Sequence, residues 1–201
     1  TALQWPEYAN LNFEFNDAPD SDIRIAFAND GAWSYVGTDA KSIHVSRPTM
    51  NFGWLDEGVV LHEFGHAIGL AHEHQNPDKG IQWNEEAVIR DLSGPRNNWD
   101  GATIRHNVLR KYSHDQVNGT EFDAKSIMLY SFPAEWTLDG FHTEPNDVIS
   151  DIDKEFARGE KMYPRRETDP KIVELEVAEI QPLQADIGKP GEEDLYKFKA
   201  T

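Results

Sequence analysis

Residues 62 to 72 read His-Glu-Phe-Gly-His-Ala-Ile-Gly-Leu-Ala-His, and no other stretch restricts the backbone so tightly. On a helix, His62 and His66 are four residues apart, so their imidazoles leave one face a turn apart and can share one ion. Were the helix to continue, His72 would point away, because six residues is not a whole number of turns. Gly69 can take the positive φ that ends a helix and turns the chain back. The spacing therefore predicts a helix, a glycine turn and a third histidine returning to the first two. Histidine nitrogens suit a borderline ion such as zinc, and three protein ligands leave a fourth position for water. Glu63 follows the first ligand directly and is the candidate base over that open side. Val59, Val60, Phe64, Ala67, Ile68 and Leu70 also describe a buried helix, so the same stretch is read as core and site at once.

Further along comes Ser126-Ile127-Met128-Leu129-Tyr130. Together with the elongated histidine motif it resembles the metzincin clan, whose hallmark is that motif plus a methionine-containing turn beneath the metal. Within the clan the chain resembles the astacins. Glu73 after the third histidine, the run His72-Glu73-His74-Gln75-Asn76-Pro77 and the Ser-x-Met-x-Tyr form of the turn carry the likeness, which covers residues 1 to about 165. It implies an α+β metzincin fold: a small twisted upper sheet plus helices, an active-site cleft, and a lower, mostly helical or irregular subdomain. It also implies a zinc-dependent endopeptidase acting on protein or peptide substrates, with one catalytic Zn2+ on His62, His66 and His72. Glu63 would be the general base for metal-activated water. Tyr130 would be a fifth ligand in the free enzyme that swings to stabilise the oxyanion. Met128 would be an apolar floor under the imidazoles, and Gly69 the turn that brings in the third ligand. Glu73 matches the astacin glutamate that meets the mature amino terminus, or it orients a neighbour as a supporting carboxylate. His74 is assigned to the rim, and His44, His106, His114 and His142, which lack ligand spacing, to the surface. The alternatives are a non-catalytic, zinc-stabilised module binding a peptide or glycan, or an inactive fragment of the peptidase.

With 201 residues, 38% of them hydrophobic, the chain can bury one good core, and one main domain is expected, as a monomer. A net charge of −17 repels nucleic acid and anionic membrane surfaces, so neither is an expected partner. No apolar stretch approaches the roughly 18 residues of a spanning helix. The absence of cysteine departs from the animal astacins, whose catalytic domains carry disulfides, and favours a secreted, extracellular protein of bacterial type. The expected organisation is a catalytic domain over 1–165, a linker over 166–171 and a β-rich tail over 172–201, the start of a truncated C-terminal β-sandwich module or a packed tail. Residues 1–9 read as the end of a helix whose larger part, with a first strand, is absent. Strands are expected at 12–15, 23–27, 33–36 and 43–45, with 49–54 as the edge strand beside the cleft. Helices are expected at 56–71, 84–92, 102–112 and 151–163. Asp17, Asp20 and Asp22 read as a solvated turn, lacking the ligand order of a calcium loop.

Overall fold

The structure, a computed structural model, describes residues 1–164 except Asp17, Lys79 and Arg96, together with the backbone of residues 196–200. The expected linker at 166–171 and the alternating stretch at 172–177 lie outside the described residues. A short helix α1 (Gln4–Tyr8) leads into the strands β1 (Phe13–Asn16), β2 (Ile23–Ala26), β3 (Trp33–Ser34) and β4 (Met50–Asn51). Residues 196–200 form β5 (Tyr196–Ala200), and the sheet order is β1-β5-β2-β4-β3. β4 runs parallel to β2, with Ile25 opposite Met50, while β3 is antiparallel to β4 and β5 is antiparallel to both its neighbours.

Two strand expectations are corrected. Residues 49–54 do not form the sheet edge: β4 is interior, and β3 lies outside it. The Asn51 side chain explains why, since its Oδ1 accepts from Ala28 N at 2.8 Å and its Nδ2 donates to Ala28 O at 2.9 Å and Asp30 Oδ1 at 2.7 Å. That buried amide draws the 28–31 turn across, so the chain returns on the outer side of β4. Residues 43–45 are irregular rather than a strand, because the buried Arg24 guanidinium takes carbonyls such a strand would use: Ile43 O at 3.1 Å and His44 O at 3.4 Å.

Beneath the sheet runs α2 (Glu57–Ala67), begun by Asp56, whose side chain accepts from Val59 N at 2.8 Å. It carries Leu61 and Phe64 into a core with Trp5, Phe13, Ile25, Met50, Met128 and Ile149. Trp5 donates its indole N–H to Leu61 O at 3.0 Å, and Phe13 meets Phe64 edge-on at 5.1 Å. The helix stops at Ala67, short of the expected 71. Gly69 has φ +108°, with Leu70 N donating to Gly65 O at 2.9 Å and Gly69 N to His66 O at 2.8 Å, the bond pair of a Schellman cap.

A smaller core of Val88, Leu92, Ile104 and Val108 lies under α3 (Glu85–Leu92), α4 (Gly101–Ile104) and a π turn at Arg105–Leu109. The single helix expected at 102–112 is therefore two unlike pieces. The last described helix, α5 (Asp151–Ala157), ends earlier than 163 and starts in a capping box between Ser150 and Asp153. No helix among the described residues is long and apolar enough to cross a membrane.

Candidate metal centre

Two elements bring the histidines together. α2 presents His62 and His66, and the Gly69 turn returns His72. His62 Nδ1 lies 2.8 Å from Ile127 O and His66 Nδ1 2.8 Å from Leu70 O. A carbonyl only accepts, so each Nδ1 carries the proton and each Nε2 keeps a bare lone pair. The Gln75 side chain neighbours the His72 ring and offsets a small part of the effect of burial on it. His66 Nε2 and His72 Nε2 are 3.0 Å apart, and one ligand atom from each of the three rings lies within 4.8 Å of the others. Burial holds all three imidazoles neutral: His62 and His72 fall below the ordinary histidine range, and His66 falls to about 3, with the neighbouring His62 adding to the effect. Neutral nitrogens converging this closely are a donor set for a divalent cation of the zinc type.

Glu63 is 5% exposed, its Oε2 has no hydrogen-bond partner, and burial pushes its carboxyl up to about 8. An orphaned carboxyl oxygen next to three bare imidazole nitrogens is costly unless a cation and its water satisfy it. The residues present therefore fit a metal ion.

Met128 is 1% exposed, in the core beside α2. Its approach depends on Gly65, where a Cβ would come 2.5 Å from Met128 Sδ and 3.2 Å from the Trp5 ring. The turn is held from α5. Asp153 Oδ1 accepts from Ser126 Oγ at 2.7 Å and Oδ2 from Ile127 N at 2.8 Å, and Ser126 Oγ accepts from Met128 N at 3.0 Å. Since Ile127 O receives the His62 proton, Asp153 reaches His62 through one residue, Ile127. Glu73 Oε1 accepts from Asp123 N at 2.8 Å and Asn76 Nδ2 at 2.9 Å, and burial raises its carboxyl to about 7. It borders a cavity of about 390 Å3 shared with Asp123, Asp153 and Tyr112.

The Tyr130 ring packs 4.3 Å from His72 and stacks on His62 at 5.8 Å. Burial, then the Glu63 carboxyl, raise its phenol above the ordinary range. His74 does not lie on the rim. It is 1% exposed, stacked on Tyr130 at 4.6 Å, and held neutral by burial at about 4. The sequence placed it at the edge because it follows the ligands beyond the turn; a 310 turn at Glu73–Gln75 folds it inward. His44, His106, His114 and His142 are exposed. Gly65, Gln75 and Asp153 escaped sequence reasoning, although the Ser150-x-x-Asp153 spacing was a visible capping signal.

A glycine-turned third histidine above a methionine turn, under a small mixed sheet, defines the metzincin class. More narrowly, residues 2–154 match the profile of the peptidase family Astacin, and the chain belongs to that family. A solved structure titled "Structure of myroilysin" superposes with a TM-score of 0.78 at 38% identity, covering 82% of this chain and 84% of that one. Among curated proteins, Zinc metalloproteinase nas-30 of Caenorhabditis elegans is 27% identical over 68% of this chain, and Tolloid-like protein 1 of Mus musculus 30% identical over 63%. The aligned part of the chain spans only 16% and 12% of those two proteins.

Proposed function

We propose that the chain is the catalytic part of a zinc-dependent endopeptidase cleaving protein or peptide substrates. The observation that carries this is the convergence of three bare imidazole nitrogens within 4.8 Å, beside the unpartnered Glu63 Oε2. Zinc bound there supplies a Lewis acid and a water whose pKa drops towards about 7.

The rest is done by the chain itself. His62, His66 and His72 would hold the ion, with His62 Nδ1 fixed by Ile127 O and His66 Nδ1 by Leu70 O. Glu63 accepts the proton of the attacking water at its free carboxyl oxygen and delivers it to the leaving amine. With a cation held among the histidines the Glu63 carboxyl would fall from its raised value and be ionised when that proton must be taken. Tyr130, whose phenol burial keeps protonated in the metal-free chain, would serve as a further ligand in the free enzyme and, released, donate to the oxyanion as charge develops on the carbonyl oxygen. Met128 supports the rings from below, and Glu73 braces the 73–76 turn and the Asp123 backbone.

Cleavage of casein, with and without chelator, by the native chain and by Glu63→Gln tests the reading. Native cleavage should stop with chelator, and Glu63→Gln should keep its zinc while losing at least about a hundredfold in rate. Equal cleavage by both would sink it; no cleavage by either would favour the binding-module or inactive-fragment alternatives.

A further inference from the structure

The π turn at Arg105–Leu109 belongs to a backbone class that recurs at functional sites. Its carbonyls are taken by the two side chains after Glu73. His74 Nε2 donates to Asn107 O at 2.8 Å, and Gln75 Nε2 donates to His106 O at 2.9 Å and to Arg110 O, just beyond the turn, at 3.0 Å. The same two side chains meet the metal centre. Gln75 neighbours the His72 ring, and His74 lies nearly parallel to Tyr130, 24° between planes, with His72 5.0 Å away. Tyr130 is thus stacked on a first ligand, His62, and on a tethered imidazole that is not a ligand.

Why an imidazole stands there needs a reason. With Nε2 donating to Asn107, the other nitrogen must accept, yet His74 Nδ1 has no hydrogen-bond partner although the residue is 1% exposed. Phenylalanine would offer Tyr130 a similar face without stranding a buried acceptor. What it could not do is bond Asn107 O.

We propose that His74 is a positioning residue: anchored to the π turn through Asn107, it fixes the resting plane of Tyr130 beside the metal ligands. This rests on the role given to Tyr130 above, and the test separates the two. Steady-state kinetics are measured for the native chain, His74→Leu, Tyr130→Phe and the double variant, with zinc content and thermal melting recorded for each. His74→Leu should keep zinc and a cooperative melt but lose about tenfold or more in kcat, with a smaller change in KM. In the Tyr130→Phe background the same substitution should cost little, because the effect passes through the missing hydroxyl. In protein loaded with copper(II) alone, the visible phenolate-to-copper absorption should weaken or shift in His74→Leu.

His74→Phe keeps the ring face without the tether and should fall between native and Leu. It carries the same cycle if His74→Leu does not fold. Full native kcat and spectrum in His74→Phe would mean that the Asn107 bond does nothing, and would overturn the proposal. So would a loss from His74→Leu that is equal with and without the Tyr130 hydroxyl. If Tyr130→Phe alone turns over normally, the role of Tyr130 falls and the positioning claim falls with it. If Tyr130→Phe is impaired and the His74 effect merely adds to it, only the positioning claim fails.

Discussion

Two glycines of α2 and its cap serve the centre for opposite reasons, and they separate what a sequence can show about single residues. Gly69 is required for its backbone: φ is +108°, while a Cβ there would meet only Met162 Cε at an ordinary 3.7 Å. Gly69→Ala should therefore cost about 1–2 kcal/mol in strain alone. It should also weaken zinc binding by moving His72, which thermal melts and zinc titration would register; an unchanged affinity would mean that the turn does not set the third ligand. Gly65 is required for its emptiness. Gly65→Ala would press on Met128 Sδ and Trp5 and should destabilise by about 1–3 kcal/mol as overpacking, read from denaturant melts. The need at Gly69 was legible because it follows from spacing along one helix. The need at Gly65 was not, because the atoms that crowd it come from distant parts of the chain. Tyr130 lies between these cases: the motif suggested its role, while its stacking on His74 depends on the fold. Tyr130→Phe should lower kcat by about a hundredfold, as loss of one oxyanion donor does, with KM little changed.

Elements were legible where the local chemistry was strong. The Asn84 cap of α3 and the burial of Phe64 lie where capping and periodicity put them, whereas Val59, Val60 and Ala67 are only partly buried and the fully buried Leu61 was not among the residues read as core. Elements went wrong where a distant side chain decides the path, as Asn51 and Arg24 do around β3 and the 43–45 segment. The 102–112 pattern fared likewise, since it becomes a π turn whose carbonyls answer to His74 and Gln75. The junction of α5 with the methionine turn is the clearest case of one element stabilising another. Asp153 closes the capping box of its own helix and also holds Ser126 Oγ and Ile127 N. Asp153→Ala should remove both and leave buried donors unmatched, costing about 3 kcal/mol in a denaturant melt. Because Ile127 O orients His62, zinc affinity should fall about tenfold as well. Asp153→Asn, which keeps one acceptor, should lose less on both counts. Stability lost with zinc affinity intact would confine Asp153 to the core.

At the scale of the whole molecule, one motif fixed the class of fold, while strand order waited on contacts between remote segments. The same burial that organises the centre also makes the fold depend on what fills it. In the metal-free protein Glu63 and Glu73 give up their protons only at about 8 and about 7, burial being the leading cause for each. An unfolded glutamate does so near 4.3. Between about pH 7 and 8 these two carboxyls make the metal-free folded chain bind more protons than the unfolded one, and its stability should fall as pH rises. The four histidines of the centre act in the opposite sense, each being depressed below its ordinary value, but above about pH 7 the unfolded chain protonates them too little to offset the carboxyls. A divalent cation on the three imidazoles changes the sign of the problem: an ionised carboxylate beside it is favoured rather than penalised. The melting temperature of chelated protein should thus decline from about pH 7 to 8 while that of zinc-loaded protein holds or rises, and the gap between them widens. Parallel curves would mean that the two carboxyls do not sense the site, and that metal and fold are coupled only through the histidines.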